Sequence, residues 1–167
     1  MNTLTRMEIR DLTPLDWREV ASIYEDGIRG GDATFETELP SWERWDTAHP
    51  DHRLVAELDG RLAGWAALSP YSARWCYRGV AEDSVYVAPW AQGQGVGRGL
   101  LEELIGRAEG VGIWTLLAGI FPENKPSLRL HLGCGFRLVG VHERLSELQG
   151  EWRDVLWLER RSEVTGR

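Results

Sequence analysis

The sequence predicts a mixed α/β fold, a central twisted sheet of about seven strands flanked by about four helices. Three observations carry that expectation. Stretches with the two-residue period of a strand alternate with stretches of helical period along the whole chain. Asp59-Gly60 forms a tight turn signal between two apolar runs. Finally, the strand-like "DSVYV" leads through a Pro-Trp corner into four alternate glycines, Gly93, Gly95, Gly97 and Gly99, where a helical pattern begins.

In order, "MEIRDL" reads as a first strand, and Pro14 to about Gly30 as an amphipathic helix with Leu15, Val20, Ile23, Tyr24 and Ile28 on its apolar side. "GDATFETELP" is a polar loop, and Ser41 is placed to cap a short helix ending at Pro50. "HRLVAELDGRLAGWAALSPY" is a hairpin, "AEDSVYV" a strand, and Gly95 to about Ala108 a helix. "TLLAGIF" reads as a buried strand. A helix then opens near Asn124 and closes at Gly133-Cys134-Gly135, and "FRLVGVHERL" and "WRDVLWLER" finish as strands. The order is βααβββαβαββ, in one domain spanning 1–167 with its core at about 7–160. Trp42, Trp45, Trp65, Trp114 and Trp157 fit core positions, whereas Trp90 and Trp152 fall where a partner could be faced.

Composition excludes several classes. A chain of 167 residues with 43% hydrophobic and 27% charged residues has a globular balance. Neither a leader-like apolar run nor a membrane-length one is expected, and a cytoplasmic setting fits Cys76 and Cys134, which stand apart without metal-ligand spacing. No metal site is expected, and His49 and His52 read as loop residues. The net charge of −7, with Lys125 the only lysine, argues against nucleic acid as partner. An anion held at the glycine corner must therefore be held by local geometry.

A helix start offers unpaired backbone N–H groups and partial positive charge, and glycines let an anion approach closely. Neither a dinucleotide fingerprint nor a Walker loop fits the spacing. A tight strand-to-helix connection without a ligand remains one reading. Gln92-Gly93-Gln94-Gly95-Val96-Gly97 supports another, because it resembles the pyrophosphate loop of the GNAT superfamily of N-acetyltransferases. The helix led by Asn124 and ending in Gly135-Phe136 resembles the same family. "SARWCYRGVAEDSVYV", with Arg74, Tyr77, Glu82, Ser84, Val85, Tyr86 and Val87 in register, is similar to the phosphinothricin and methionine-sulfoximine N-acetyltransferases. "DATFETELPSWE" and "GEWRDVLW" extend that likeness over residues 32 to 157. Ser72 and bulky Trp75 depart from the phosphinothricin pattern, in pocket charge and size respectively.

The resemblance implies a GNAT fold, acetyl-CoA as cosubstrate, a small amino-acid-like acceptor and a homodimer. It implies that Val85, Tyr86, Val87, Gln92, Gly93, Gln94, Gly95, Val96, Gly97, Arg98, Asn124 and Ser127 hold the cofactor. Phe35, Arg74, Trp75, Tyr77, Glu82 and His131 would meet the substrate. An acyl-CoA sensor and a peptide or protein N-acetyltransferase are the alternatives.

The residues also carry chemistry of their own. A free α-amino group, with pKa about 7.7–8.0, is already partly neutral at pH 7, so a modest base suffices. Glu82 is the candidate base, and Asp83 its rival if a bulge shifts the strand. The planar fork of Arg74 suits a carboxylate or phosphinate. By the resemblance, His131 stands where many superfamily members carry a tyrosine that protonates the leaving thiolate, so it either donates that proton or contacts substrate.

Overall fold

A computed structural model of the chain describes residues 6–167; the first five, read above for a leader, lie outside it. The element order is the predicted one: β1 (Met7–Asp11), α1 (Trp17–Gly30), α2 (Trp42–Ala48), β2 (Arg53–Leu58), β3 (Arg61–Pro70), β4 (Val80–Val87), α3 (Val96–Gly110), β5 (Thr115–Ile120), α4 (Lys125–Gly133), β6 (Arg137–Leu148) and β7 (Glu151–Arg161). Pro14–Asp16 is a separate 3-10 turn, so α1 starts three residues later than the periodicity suggested. Ser41 caps α2 by accepting the Arg44 amide, and Asp59 and Gly60 take the left-handed conformations their turn requires.

The seven strands form one sheet in the order β1-β2-β3-β4-β5-β7-β6. Only β4 and β5 run parallel, and α3 supplies the crossover between them. Side-chain alternation puts Trp65 and Tyr86 on one face, under Tyr24 of α1 and Trp45 of α2. Gly64 and Val87 face the other way, toward Leu100 of α3 and Leu130 of α4. The helices thus cover both faces, and the core forms between them around Trp45, Trp65, Leu54, Leu100, Leu104 and Leu158. Each of these leucines stabilises the fold by about 1.5–3 kcal/mol. Of the other expected core tryptophans, Trp42, Trp114 and Trp157 are only half-buried, because each sits at the end of an element or beside the cleft described below. Trp90 and Trp152 are exposed, as their positions suggested.

The pairing of β4 with its neighbours is uneven. Against β3 it is continuous from Ala81 to Val87. Against β5 it ends at Glu82–Leu117. Beyond that rung the two parallel strands diverge like the arms of a fork, and the fork is where a site can open.

Among the described residues no helix is long and apolar enough to cross a membrane, and no group of three or more His, Cys, Asp and Glu is placed to hold a metal ion.

Candidate active site

A cleft of about 830 Å³ enters the fork between β4 and β5. One wall is β4 itself, from Glu82 to Val87, whose β5-facing backbone groups beyond Glu82 have no strand partner. At the far end lies the glycine corner. Gly93 and Gly95 have φ of 74° and 83°, left-handed values that a glycine adopts without strain. Gly95 is the N-cap of α3 and has no side chain to satisfy the first turn, so the N–H groups of Val96, Gly97 and Arg98 stay free on the cleft wall. Val96 anchors this turn in the core, while Gly97 leaves room for Leu130 and Val87.

The opposite wall is the start of α4. Asn124 caps it by accepting the Ser127 amide at 3.2 Å, which fixes Asn124, Ser127 and His131 along the cleft. Phe35, from the loop after α1, packs edge-on against Phe121 at 4.7 Å and lines the cleft together with Leu145, Val155 and Trp157.

Glu82 stands at the apex of the fork, half-buried, and burial followed by the charge of Asp83 pushes its carboxyl above the usual range. Asp83 points to the opposite face. It is buried, and its Oδ1 meets His131 Nε2 at 2.9 Å, while Oδ2 has no partner among the described residues. The other ring nitrogen, Nδ1, donates to the Ser127 carbonyl at 2.8 Å and lies 3.3 Å from the Ser127 hydroxyl. Burial presses His131 toward the neutral form, but the Asp83 hydrogen bond and charge, with the Ser127 carbonyl, prevail and raise its pKa.

The structure therefore brings Glu82, His131, Phe35, Asn124, Ser127 and nearly all of the segments 85–87 and 92–98 to one cleft. Gln94 is the exception in the loop: its side chain turns away to the Trp90 carbonyl at 3.1 Å. Arg74, Trp75 and Tyr77 depart from the expectation of a shared pocket. They lie exposed around a 3-10 turn (75–77), outside the cleft of their own chain, and Tyr77 lines a separate cavity of about 250 Å³. Sequence reasoning missed the Asp83–His131 contact, which joins residues 48 apart, and the wall residues Leu145 and Val155. The strand period of "RDVLW" held the only signal for Val155.

Comparison with known proteins agrees with this geometry. The acetyltransferase (GNAT) family matches residues 14–136, most of the chain. This protein belongs to the GNAT acetyltransferase family. A phosphinothricin N-acetyltransferase of Alcaligenes faecalis is 41% identical over 155 residues, covering 87% of this chain and 77% of that protein. An L-methionine sulfoximine/L-methionine sulfone acetyltransferase of Salmonella typhimurium is 35% identical over 106 residues, 64% of this chain and 62% of that one. The crystal structure of a GNAT superfamily phosphinothricin acetyltransferase from Sinorhizobium meliloti, in complex with acetyl-CoA, superposes with a TM-score of 0.85 at 32% identity, covering 93% of this chain and 88% of that one. The seven-stranded mixed sheet with four helices is thus the GNAT fold, and the predicted family and fold both hold.

Proposed function

We propose that this GNAT enzyme transfers the acetyl group of acetyl-CoA directly to the α-amino group of a small amino acid or a toxic analogue of the phosphinothricin, methionine sulfoximine or methionine sulfone type. One observation carries the reading: a half-buried carboxylate with a raised pKa stands at the apex of a fork whose far end is an uncapped, glycine-led helix start. The pyrophosphate of the cofactor sits on the amides from Gly93 to Arg98. Its pantetheine lies along the unpaired side of Val85–Val87 as an added strand, with Asn124 and Ser127 opposite. That geometry delivers the thioester beside Glu82, which takes a proton from the incoming ammonium so that the amine can attack.

Phe35, Phe121, Val155 and Trp157 supply an apolar seat for the acceptor, and the nearby Arg153 guanidinium, stacked over Phe121 at 4.3 Å, is already engaged by Asp32 and Glu123. The clamp for the acceptor's acid group is Arg74, brought by a second copy of the chain together with Trp75 and Tyr77. Two features support a homodimer. The 74–77 surface is exposed, and the free edge strand β6 bears Leu138, Val139 and Val141, each about half exposed. Acetylation of a toxic analogue in the cytoplasm would make the enzyme a resistance factor.

The test is a screen of free amino acids, methionine sulfoximine, methionine sulfone and phosphinothricin, read by release of free CoA thiol. Turnover of at least one α-amine supports the reading. Tight acetyl-CoA binding with no turnover of any amine replaces it with an acyl-CoA sensor.

A further inference from the structure

Direct transfer leaves a second proton unassigned. Glu82 removes one from the amine, and the departing CoA sulfur must receive one. We propose that Ser127, His131 and Asp83 form a relay that delivers it. In this relay the Ser127 hydroxyl is the donor to sulfur, His131 recharges the hydroxyl, and Asp83 is a positioning residue that holds His131 doubly protonated. The inference rests on the acetyl-transfer reading above.

Geometry assigns the protons. Nδ1 of His131 faces a backbone carbonyl at 2.8 Å, which can only accept, so Nδ1 carries hydrogen. Nε2 faces the buried Asp83 carboxyl at 2.9 Å, and an ionised carboxylate there requires hydrogen on Nε2 as well. Both ring nitrogens are thus occupied and His131 is buried, so it cannot reach the sulfur by itself. The Ser127 hydroxyl can: it lies 3.3 Å from Nδ1, and Ser127 is half-buried on the cleft wall. One turn of α4 separates the two residues, and the Asn124 cap sets where that turn begins.

The step balances. The amine nitrogen, freed of one ammonium proton by Glu82, bonds to the thioester carbon; the C–S bond breaks with its electron pair on sulfur, and the nitrogen sheds its surplus proton to solvent as the amide forms. Sulfur takes the Ser127 hydroxyl proton, and the hydroxyl takes the Nδ1 proton. His131 is left neutral with Nε2–H on the Asp83 carboxylate. Solvent later restores the His131 proton and removes the one held by Glu82.

Other groups near the pair are accounted for. Glu82 adjoins Asp83 on β4. Arg98 and Glu102 on α3 are paired at 3.0 Å, and Arg160 on β7 is bound to Glu109 at 2.8 Å. Cys134 ends α4, with its thiol pushed up by burial, and Phe136 meets the His131 ring edge-on at 5.0 Å. Only Asp83 bonds to Nε2.

The decisive measurement is the titration of His131 followed by nitrogen-15 NMR on the free, full-length protein. It is expected above the ordinary histidine value of about 6.5. Asp83→Asn should lower that titration, and with it the alkaline limb of kcat, by about one unit or more, with the KM of acetyl-CoA unchanged. Ser127→Ala should lower kcat about 10²-fold and leave the His131 titration in place. A wild-type His131 that is neutral at pH 7, or a Ser127→Ala enzyme at the wild-type rate, overturns the relay. Should Asp83→Asn not fold, those two measurements still decide. Failure of the acetyl-transfer reading would show as absent turnover in wild type, leaving the NMR titration untouched.

Discussion

Glu82 and Asp83 adjoin on β4, yet their carboxyls lie on opposite faces of the sheet and answer to different partners. For Glu82, burial and then the charge of Asp83 raise the pKa and give a base that is ionised only above the usual carboxylate range. The acid limb of kcat/KM is therefore expected above about 4.3, with activity lost as pH falls through the raised pKa. Glu82→Gln should lower kcat about 10²-fold at pH 7, with a loss that shrinks as pH rises and the amine deprotonates unaided. Stability should move the other way. A carboxyl whose folded pKa exceeds its unfolded one destabilises the fold as pH rises past the unfolded value, because the unfolded chain ionises first. At pH 7 that penalty is present, and the neutral amide removes it. Thermal unfolding of Glu82→Gln at pH 7 should therefore show a higher Tm than wild type, and equal or lower values would mean that Glu82 is solvated.

At the scale of elements, the start of α3 concentrates the anion chemistry in a protein of net charge −7. Gly95→Asp sets a carboxylate beside the amides that would hold phosphate, with some local strain, since a φ of 83° is one that residues other than glycine rarely adopt. Acetyl-CoA affinity measured by calorimetry should fall by two orders of magnitude or more, while circular dichroism stays that of wild type; retained affinity would move the pyrophosphate elsewhere. The helix and strand order was legible because its signals are local. The Asp59-Gly60 turn, the Ser41 and Asn124 caps, and the glycines that open α3 and close α4 each act within a few residues. The glycine corner and Glu82 were legible as cleft residues for the same reason. What spans the sheet was not. The fork depends on where β4 loses β5, and the Asp83–His131 contact depends on how α4 lies across β4. No short window encodes either. The turn at 75–77 adjoins β4 in sequence, so the chain reads as if Arg74 shared the cleft of Glu82, whereas the loop folds away from it.

For the molecule as a whole, that displaced arginine makes the assembly testable. If Arg74 serves the partner's cleft, Arg74→Ala and Glu82→Gln chains are each nearly inactive alone but complement when mixed. A mixed dimer then holds one intact site and one doubly damaged one. Half of the randomly reassorted dimers are mixed, so about a quarter of the wild-type rate should return. If Arg74 works in its own chain, every site keeps one lesion and nothing returns. Light scattering on the same samples reads the assembly directly, and a monomer at assay concentration would remove the basis for the cross-subunit clamp.

The divergence of β4 from β5 also leaves a record in time. On the free protein, alternate amides between Asp83 and Val87 are tied to β3, while those between them point into an empty fork. In heavy water the second set should exchange with deuterium orders of magnitude faster than the first, giving a two-speed strand at the centre of the sheet. Adding acetyl-CoA should slow the fast set and leave the slow set unchanged, since a ligand lying as a strand caps those amides and no others. The ligand's pose would thereby be legible as an odd–even pattern along five residues.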